Sequence, residues 1–224
     1  MKHSRYRYFD QLRWAEAFVD GSLLFRSLSH YLQIEDGEVR GDLNEGTVSY
    51  KPKGGLVGNS VTEGKGFQLP EGSSFDSGVN TEEIFILCAS ASMGDALRDR
   101  FKAKAMVEIR KIATLCARIQ AALPSTATFR AQRVVYYSKA DEIGAKWAFP
   151  DMIAFSKVAE TYDWQDEYRF CFSLTDAMAY GKTVQRIIIP NQAPGTALPP
   201  PPNVPREYPL TIRPLGDICE LFKY

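Results

Sequence analysis

The sequence predicts a single α+β domain with a mixed or antiparallel split β-sheet core, one long helix and a short N-terminal helix. Short segments with alternating or uninterrupted apolar residues, which are typical of strands, recur along the 224 residues. Two stretches instead carry apolar residues at helical spacing. A chain of this length can bury a substantial core as one domain, so we assign 1–224 to a single domain.

The predicted strands alternate with turns and helices along the chain. They cover 5–9, 22–26, 83–89, 133–137, 162–172 and 183–189. The run 83–89 is apolar throughout, which predicts a strand buried on both faces. The run 183–189 predicts a further core strand that Pro190 stops, and 210–212 and 218–222 add a last strand and a short terminal element.

Three helices are predicted. The first covers 11–19 and closes at Asp20-Gly21, a common way for a helix to end. The longest covers 96–123, where apolar residues form a wide stripe and Pro124 ends the pattern. The third covers 153–160 and places Lys157 on its surface.

Two segments differ in composition from the rest of the chain. The Gly-rich insertion, 47–80, predicts a loop or hairpins that could cover a ligand or simply connect neighbouring elements. The Pro-rich strap, 191–209, contains four consecutive prolines at 199–202 and must be extended. It fits a surface linker or a ligand for a Pro-binding domain.

Charge and composition limit the partners that the chain can have. The 27 basic and 27 acidic residues cancel, so no global field attracts nucleic acid or an anionic membrane. No apolar run approaches the ~20 residues that cross a bilayer, and the N-terminus lacks the apolar core of a secretory signal. The cysteines lie far apart among apolar neighbours, as reduced thiols do. We therefore expect a cytoplasmic protein with no membrane partner.

Known cofactor motifs are missing from the polar segments. The acidic cluster between Glu35 and Glu45 lacks the regular spacing of a calcium loop, so no metal is expected. The glycines of the Gly-rich insertion fit neither a dinucleotide-binding nor a phosphate-loop pattern.

The strand predicted at 162–172 carries the most distinctive polar group. Gln165, Glu167 and Arg169 are two residues apart, which places them on one face of a strand. An amide, a carboxylate and a guanidinium so close together can hold a polar ligand. The same pattern also fits an exposed strand edge.

Three short motifs occur in a characteristic order. They are Tyr6-Arg7-Tyr8 before a short helix, Gly21 and a second strand; Ser90-Ala91-Ser92 after the buried run; and Gln165-Asp166-Glu167. In this order they resemble the ADP-ribosyltransferase superfamily, in its arginine-dependent branch. The resemblance covers mainly the two ends and one middle strand.

A second resemblance overlaps the first. Lys157, Trp164, Glu167 and Arg169, with the aromatic start, resemble a largely uncharacterised bacterial family with a Tyr-Lys-Tyr-like start and a Trp-x-x-Glu-x-Arg motif.

The resemblance implies that 1–224 is a catalytic-type domain, a transferase that uses NAD as co-substrate. Its catalytic residues would be Glu167, which bonds the ribose, and Gln165, which presents its amide to the acceptor. The implied cofactor-binding residues are Arg7, Tyr8, Arg26, Tyr31, Ser90 and Ser92, with Arg5 left open as an alternative to Arg7. The acceptor would be a macromolecule, nucleic acid or protein. The setting would be a bacterial toxin or an anti-phage effector, with a possible neutralising antitoxin partner.

Two other classes of function fit the same sequence. One is a non-catalytic nucleotide or nucleic-acid binding module that uses the basic face of the long helix and the aromatic residues. The other is a protein-interaction factor that uses the Pro-rich strap and the acidic loop.

Overall fold

The computed structural model describes residues 4–33, 44–59, 64–142, 144–190 and 204–224. The α-helices of these ranges are all short. They are α1 (Leu12–Val19), α2 (Leu28–Tyr31), α3 (Asp95–Arg100), α4 (Ile112–Ala122), α5 (Pro150–Ala154) and α6 (Ala159–Tyr162). Two 3-10 helices cover Gly144–Ala148 and Asp163–Gln165.

Strands make up most of the remaining regular structure. They are β1 (Arg5–Phe9), β2 (Ser22–Ser27), β3 (Thr47–Tyr50), β4 (Val57–Asn59), β5 (Gly66–Gln68), β6 (Ser74–Gly78), β7 (Phe85–Ser90), β8 (Ala105–Ile109), β9 (Thr128–Arg133), β10 (Val135–Tyr137), β11 (Ser156–Val158), β12 (Glu167–Ser173), β13 (Val184–Ile188), β14 (Glu207–Thr211) and β15 (Cys219–Lys223).

The main sheet is built around β7. Its order is β14-β2-β7-β1-β8-β15, with β12 on β7 and β9 on β12. Every pairing in this sheet is antiparallel. Because helices pack on an antiparallel sheet, the domain is α+β, as predicted.

The sheet is split along one edge of β7. On the opposite edge, β12 pairs with the whole length of β7, from Phe85 to Ser90. On the split edge, β2 pairs with Phe85 and Ile86, whereas β1 pairs with Ser90. β1 and β2 therefore separate along the middle of β7, and a gap forms between them.

The turn between α1 and β2 requires a glycine. Gly21 has a φ of +90°, and a Cβ there would lie 2.2 Å from the carbonyl oxygen of Ile212. The Ile212 N–H donates to the Gly21 oxygen at 2.9 Å, which joins this turn to the end of β14. The turn thus fixes how β2 leaves α1 and enters the sheet.

A large apolar cluster fills one side of the main sheet. The buried rings of Phe25, Phe85 and Phe172 lie in its centre, with ring centroids 5.0 and 5.2 Å apart for the pairs that include Phe172. Leu115 and Ile119 from α4 are also fully buried there. Burial of each such side chain stabilises the fold by ~2 kcal/mol, so this cluster anchors the strands of the main sheet.

The predicted long helix over 96–123 is wrong. The structure has α3, then β8, then α4 in this interval. Lys102 adopts a left-handed φ of 50°, which ends the first helix. The apolar run of β8 is buried between β1 and β15, because pairing on both edges favours a strand there.

Three further predictions are wrong in part. The helix over 153–160 is divided by β11, which pairs in parallel with β10 and buries Lys157. The strand at 162–172 begins only at Glu167, since the residues before it form α6 and a 3-10 helix. The strand at 183–189 is present as β13, but its residues are exposed and it is no core strand.

The Gly-rich insertion contributes strands to smaller sheets. β4 and β5 pair as a hairpin, and β3 and β6 form a sheet with β13. The prolines at 199–202 lie outside the described residues, and the end of the Pro-rich strap enters β14. No helix in the described ranges is both long and apolar enough to cross a bilayer.

Candidate functional site

A cavity of about 610 Å³ opens where β1 and β2 separate. Side chains from β1, α1, β2, β7 and β12 line it. The predicted site residues in its wall are Arg7, Tyr8, Arg26, Tyr31, Ser90, Gln165 and Glu167. Its volume falls in the usual range for small-molecule sites, ~300–1,000 Å³.

Strand pairing brings the three separate motifs together. In the register of the sheet, Ser90 lies opposite Tyr6 on one side and opposite Glu167 on the other. Ser90 is the last residue of β7, so it marks the point at which β1 and β12 reach the same end of the cavity.

The structure distinguishes between the two arginines of β1. Arg7 lies in the cavity wall, and its guanidinium donates a hydrogen bond to the carbonyl oxygen of Cys88. Arg5 lies outside the wall, with its guanidinium 4.5 Å from the ring centre of Tyr168. Arg7 is therefore the arginine that can meet a ligand.

Ser90 and Ser92 have different surroundings. Ser90 is buried, and its hydroxyl donates to the carbonyl oxygen of Gln165 at 2.8 Å. Ser92 is exposed outside the cavity wall, where its hydroxyl donates to the carboxylate of Asp166. Asp166 also accepts from Arg133 and has a left-handed φ of 41°. Ser92 thus helps to fix the turn before Glu167.

A buried group of four charged side chains forms the floor of the cavity. Arg169 is fully buried and donates from Nε to Oε1 of Glu167 at 2.6 Å. Its two terminal nitrogens donate to the carboxylate of Glu45 at 2.7 and 2.9 Å. Lys157 lies 2.9 Å from Oε2 of Glu167 and 3.8 Å from Oε2 of Glu45. These four residues, the buried charge cluster, carry two positive and two negative charges.

The cluster keeps Glu167 ionised. Burial alone would raise the pKa of its carboxyl group, but the adjacent Arg169 and Lys157 charges outweigh this effect and hold the pKa far below its usual range. Burial likewise opposes the charge of Lys157, yet Glu167 and Glu45 raise its pKa above the ordinary value. Both groups are charged at neutral pH, so Glu167 offers a fixed negative charge and a poor proton acceptor.

Lys157 also orients Gln165. Its ammonium group donates to Oε1 of Gln165 at 2.9 Å, the same distance at which it meets Glu167. The amide and the carboxylate of the Gln-x-Glu motif are therefore held by one lysine. This arrangement exists although Gln165 lies in a 3-10 helix and Glu167 in a strand.

The remaining predicted residues line the sides of the cavity. Burial raises the pKa of the Tyr31 hydroxyl far above its usual value, so this side chain stays neutral. Tyr8 accepts a hydrogen bond from the Gly94 N–H at 3.1 Å, and burial raises the pKa of its hydroxyl as well. Arg26 is partly exposed and pairs with Glu207 at 3.2 Å.

Sequence reasoning missed two members of the buried charge cluster. The sequence pattern groups Glu45 only with the acidic loop, and it predicts Lys157 on a helix surface. The resemblance to the Trp-x-x-Glu-x-Arg family was the one signal that pointed to Lys157. Among the described residues, no group of three or more His, Cys, Asp or Glu side chains could hold a metal ion.

Fold and site together define a split-sheet α+β domain with a charged cavity at the split. Comparison of the chain with protein-family models, curated proteins and solved structures gives no match.

Proposed function

We propose that this chain is a cytoplasmic, NAD-dependent ADP-ribosyltransferase that modifies a macromolecule. The observation that supports it most is the meeting of Arg7, Ser90 and Glu167 at one cavity, although they lie on three separate strands. Their order along the chain and their positions around the split are those that the sequence resemblance implies.

Glu167 would act on the ribose next to nicotinamide. When the bond between ribose C1′ and the nicotinamide nitrogen breaks, nicotinamide leaves with the bonding electrons and C1′ becomes positively charged. An ionised carboxylate near the ribose stabilises this charge. A carboxylate has about four acceptor positions, and the structure supplies a donor for each one on Glu167. Arg169 donates to both oxygens at 2.6 and 3.4 Å, Lys157 Nζ donates to Oε2, and the Cys88 thiol bonds to the same carboxylate. A ribose hydroxyl would take the place of the Cys88 thiol, which is the weakest of these donors.

Arg7 would bind the diphosphate of NAD. A guanidinium presents a planar fork of donors that suits phosphate oxygens, and Arg7 faces the cavity. Tyr31 offers an aromatic face to nicotinamide, and Gln165 would present its amide to the acceptor. A toxin or anti-phage role, with a neutralising antitoxin partner, belongs to the same proposal.

The test is NAD consumption by the purified protein in the presence of protein, RNA and DNA pools. Glu167→Gln keeps the size of the side chain but removes its charge, so we expect turnover to fall by about 100-fold or more. The matched control is Glu160→Gln, because Glu160 is exposed and outside the cavity. We expect normal turnover from it.

Because Glu167→Gln also disturbs the buried charge cluster, a second variant is needed. Arg7→Lys keeps the positive charge but removes the donor fork, so we expect a raised KM for NAD. A wild-type protein that leaves NAD intact with every pool would overturn the proposal. A folded Glu167→Gln protein with unchanged turnover would do the same.

A further inference from the structure

A row of aromatic side chains leads from the cavity towards the surface. The rings of Tyr8 and Phe101, which both line the cavity, are stacked with centroids 5.7 Å apart. The ring centroids of Phe101 and Trp164 are 5.4 Å apart, and the guanidinium of Arg100 lies 4.5 Å from the centre of the Trp164 ring. We call these four residues the aromatic rim.

Arg100 covers one face of the Trp164 ring, so stacking on the remaining exposed part of the ring is what Trp164 can offer to a ligand. Its indole N–H donates to the carbonyl oxygen of Thr161 at 3.0 Å, which satisfies its polar group within the chain. Tyr8, Phe101 and Trp164 are all partly exposed. Partly exposed rings in contact with one another form a platform on which planar groups stack.

The segment 100–104 beside the rim carries three cations and no acid, although the whole chain is neutral. Arg100, Lys102 and Lys104 are exposed, and none of them forms an ion pair with another residue of the described ranges. The nearby Arg98 and Arg133, in contrast, are paired with acidic side chains. The local excess charge therefore comes from the segment that contains Phe101.

We propose that the aromatic rim binds the bases of single-stranded nucleic acid, and that a nucleic-acid base is the acceptor for ADP-ribose. This inference rests on the proposed function, whose acceptor it specifies. Stacking platforms beside unpaired cations are how proteins hold single strands, because bases stack on the rings and phosphates meet the cations. Bases in a duplex are already stacked, so a single strand is required.

The rim adjoins the proposed reaction site, since Tyr8 and Phe101 line the same cavity as Glu167 and Trp164 directly precedes Gln165. In the transfer, the bond from ribose C1′ to the nicotinamide nitrogen breaks and nicotinamide leaves with the bonding pair. A nitrogen of the acceptor base forms the new bond to C1′ and releases its proton to solvent. No oxidant, reductant or metal is needed.

Binding is measured without NAD, with a fluorescent single-stranded oligonucleotide of about ten nucleotides. Trp164→Ala removes one stacking face, so we expect affinity to fall by about tenfold. Trp164→Phe keeps an aromatic ring, so it should retain most of the wild-type affinity for the oligonucleotide. Arg100→Ala should reduce the slope of log affinity against log salt concentration by about one, because one phosphate contact is lost. The matched control is Trp147→Ala, because Trp147 is 45% exposed and lies outside the rim and the cavity.

Transfer is then followed with labelled NAD and the oligonucleotide mixed with a protein pool. Label on the oligonucleotide supports the inference, whereas label on protein alone overturns it. Equal binding by wild type and Trp164→Ala also overturns it. If the protein consumes NAD but does not bind the oligonucleotide, the proposed acceptor is wrong and the proposed transferase activity stands. If the protein binds the oligonucleotide through Trp164 but leaves NAD intact, the nucleic-acid binding surface stands and the proposed transferase activity is wrong.

Discussion

The ammonium group of Lys157 lies 2.9 Å from Oε2 of Glu167, and both side chains are buried. The two residues reach this contact from different sheets, since Lys157 lies in β11 and Glu167 in β12. The pair therefore connects the smaller parallel sheet to the main sheet. It also sets the charge of the residue on which the proposed chemistry depends.

Removal of Lys157 should destabilise the fold strongly. Lys157→Met keeps much of the side-chain volume but leaves the buried charge cluster with an uncompensated negative charge, which costs about 3–5 kcal/mol. The control is Lys182→Met, because Lys182 pairs with Asp176 at an exposed site. That pair is exposed to solvent and should contribute little to stability. Urea denaturation measures both, and equal losses from the two variants would contradict the role of the cluster.

Stability at low pH should depend on Glu167. Its pKa in the folded protein lies below the unfolded value of 4.5, so its contribution is complete above pH 4.5 and disappears as the pH falls through the folded pKa. The wild type should therefore lose stability steeply below pH 4.5, relative to its value at neutral pH.

Glu167→Gln isolates this contribution, because it has no group that titrates at position 167. The difference in urea midpoint between the wild type and this variant should shrink as the pH falls from 4.5 to about 2. A constant difference between them over the whole range would show that Glu167 is not the group responsible.

The motifs of the site were predictable because each is local in the sequence. Arg7, Ser90 and Glu167 stand in short motifs, and only their order and the pairing of their strands were needed to bring them together. Glu45 was not predictable in this way. It contacts Arg169 across 124 positions, and no local pattern distinguishes it from the other acids of its loop.

The fold was predictable at the level of class and of about half of the described strands, among them β1, β2, β7 and β12. The interval 96–123 failed because the apolar run Ala105–Ile109 fits a helical stripe and a buried strand equally well. Pairing with β1 and β15 decides in favour of the strand, and this pairing depends on residues far away in the chain. Lys157 was misplaced for the same reason, since parallel pairing with Tyr136 determines its environment.

The charge balance of the cluster can be tested by a double-mutant cycle. Glu45→Gln and Arg169→Met each leave an excess charge in a buried site, so we expect each to cost about 3 kcal/mol or more. The double variant removes one charge of each sign and leaves the Lys157–Glu167 pair balanced. Its cost should be lower than the sum of the single costs by about 1–3 kcal/mol.

Chemical or thermal denaturation of the wild type, the two single variants and the double variant gives the coupling free energy between Glu45 and Arg169. The exposed pair of Arg26 and Glu207 provides a comparison cycle, for which we expect a coupling below ~1 kcal/mol. Additive costs at Glu45 and Arg169 would mean that the cluster does not act as a unit.

Cys88 provides a probe of ligand binding in the cavity. It lines the wall next to Arg7, and burial together with the nearby Glu167 charge raises the pKa of its thiol, so it should react slowly with iodoacetamide at neutral pH. If NAD occupies the cavity, it should slow this reaction further.

Cys116 serves as the internal control, because it is half-buried and lies outside the cavity. Mass spectrometry of the peptides after timed labelling measures both rates in one sample. Protection of Cys88 alone is the expected result, whereas equal rates with and without saturating NAD would show that this ligand does not enter the cavity.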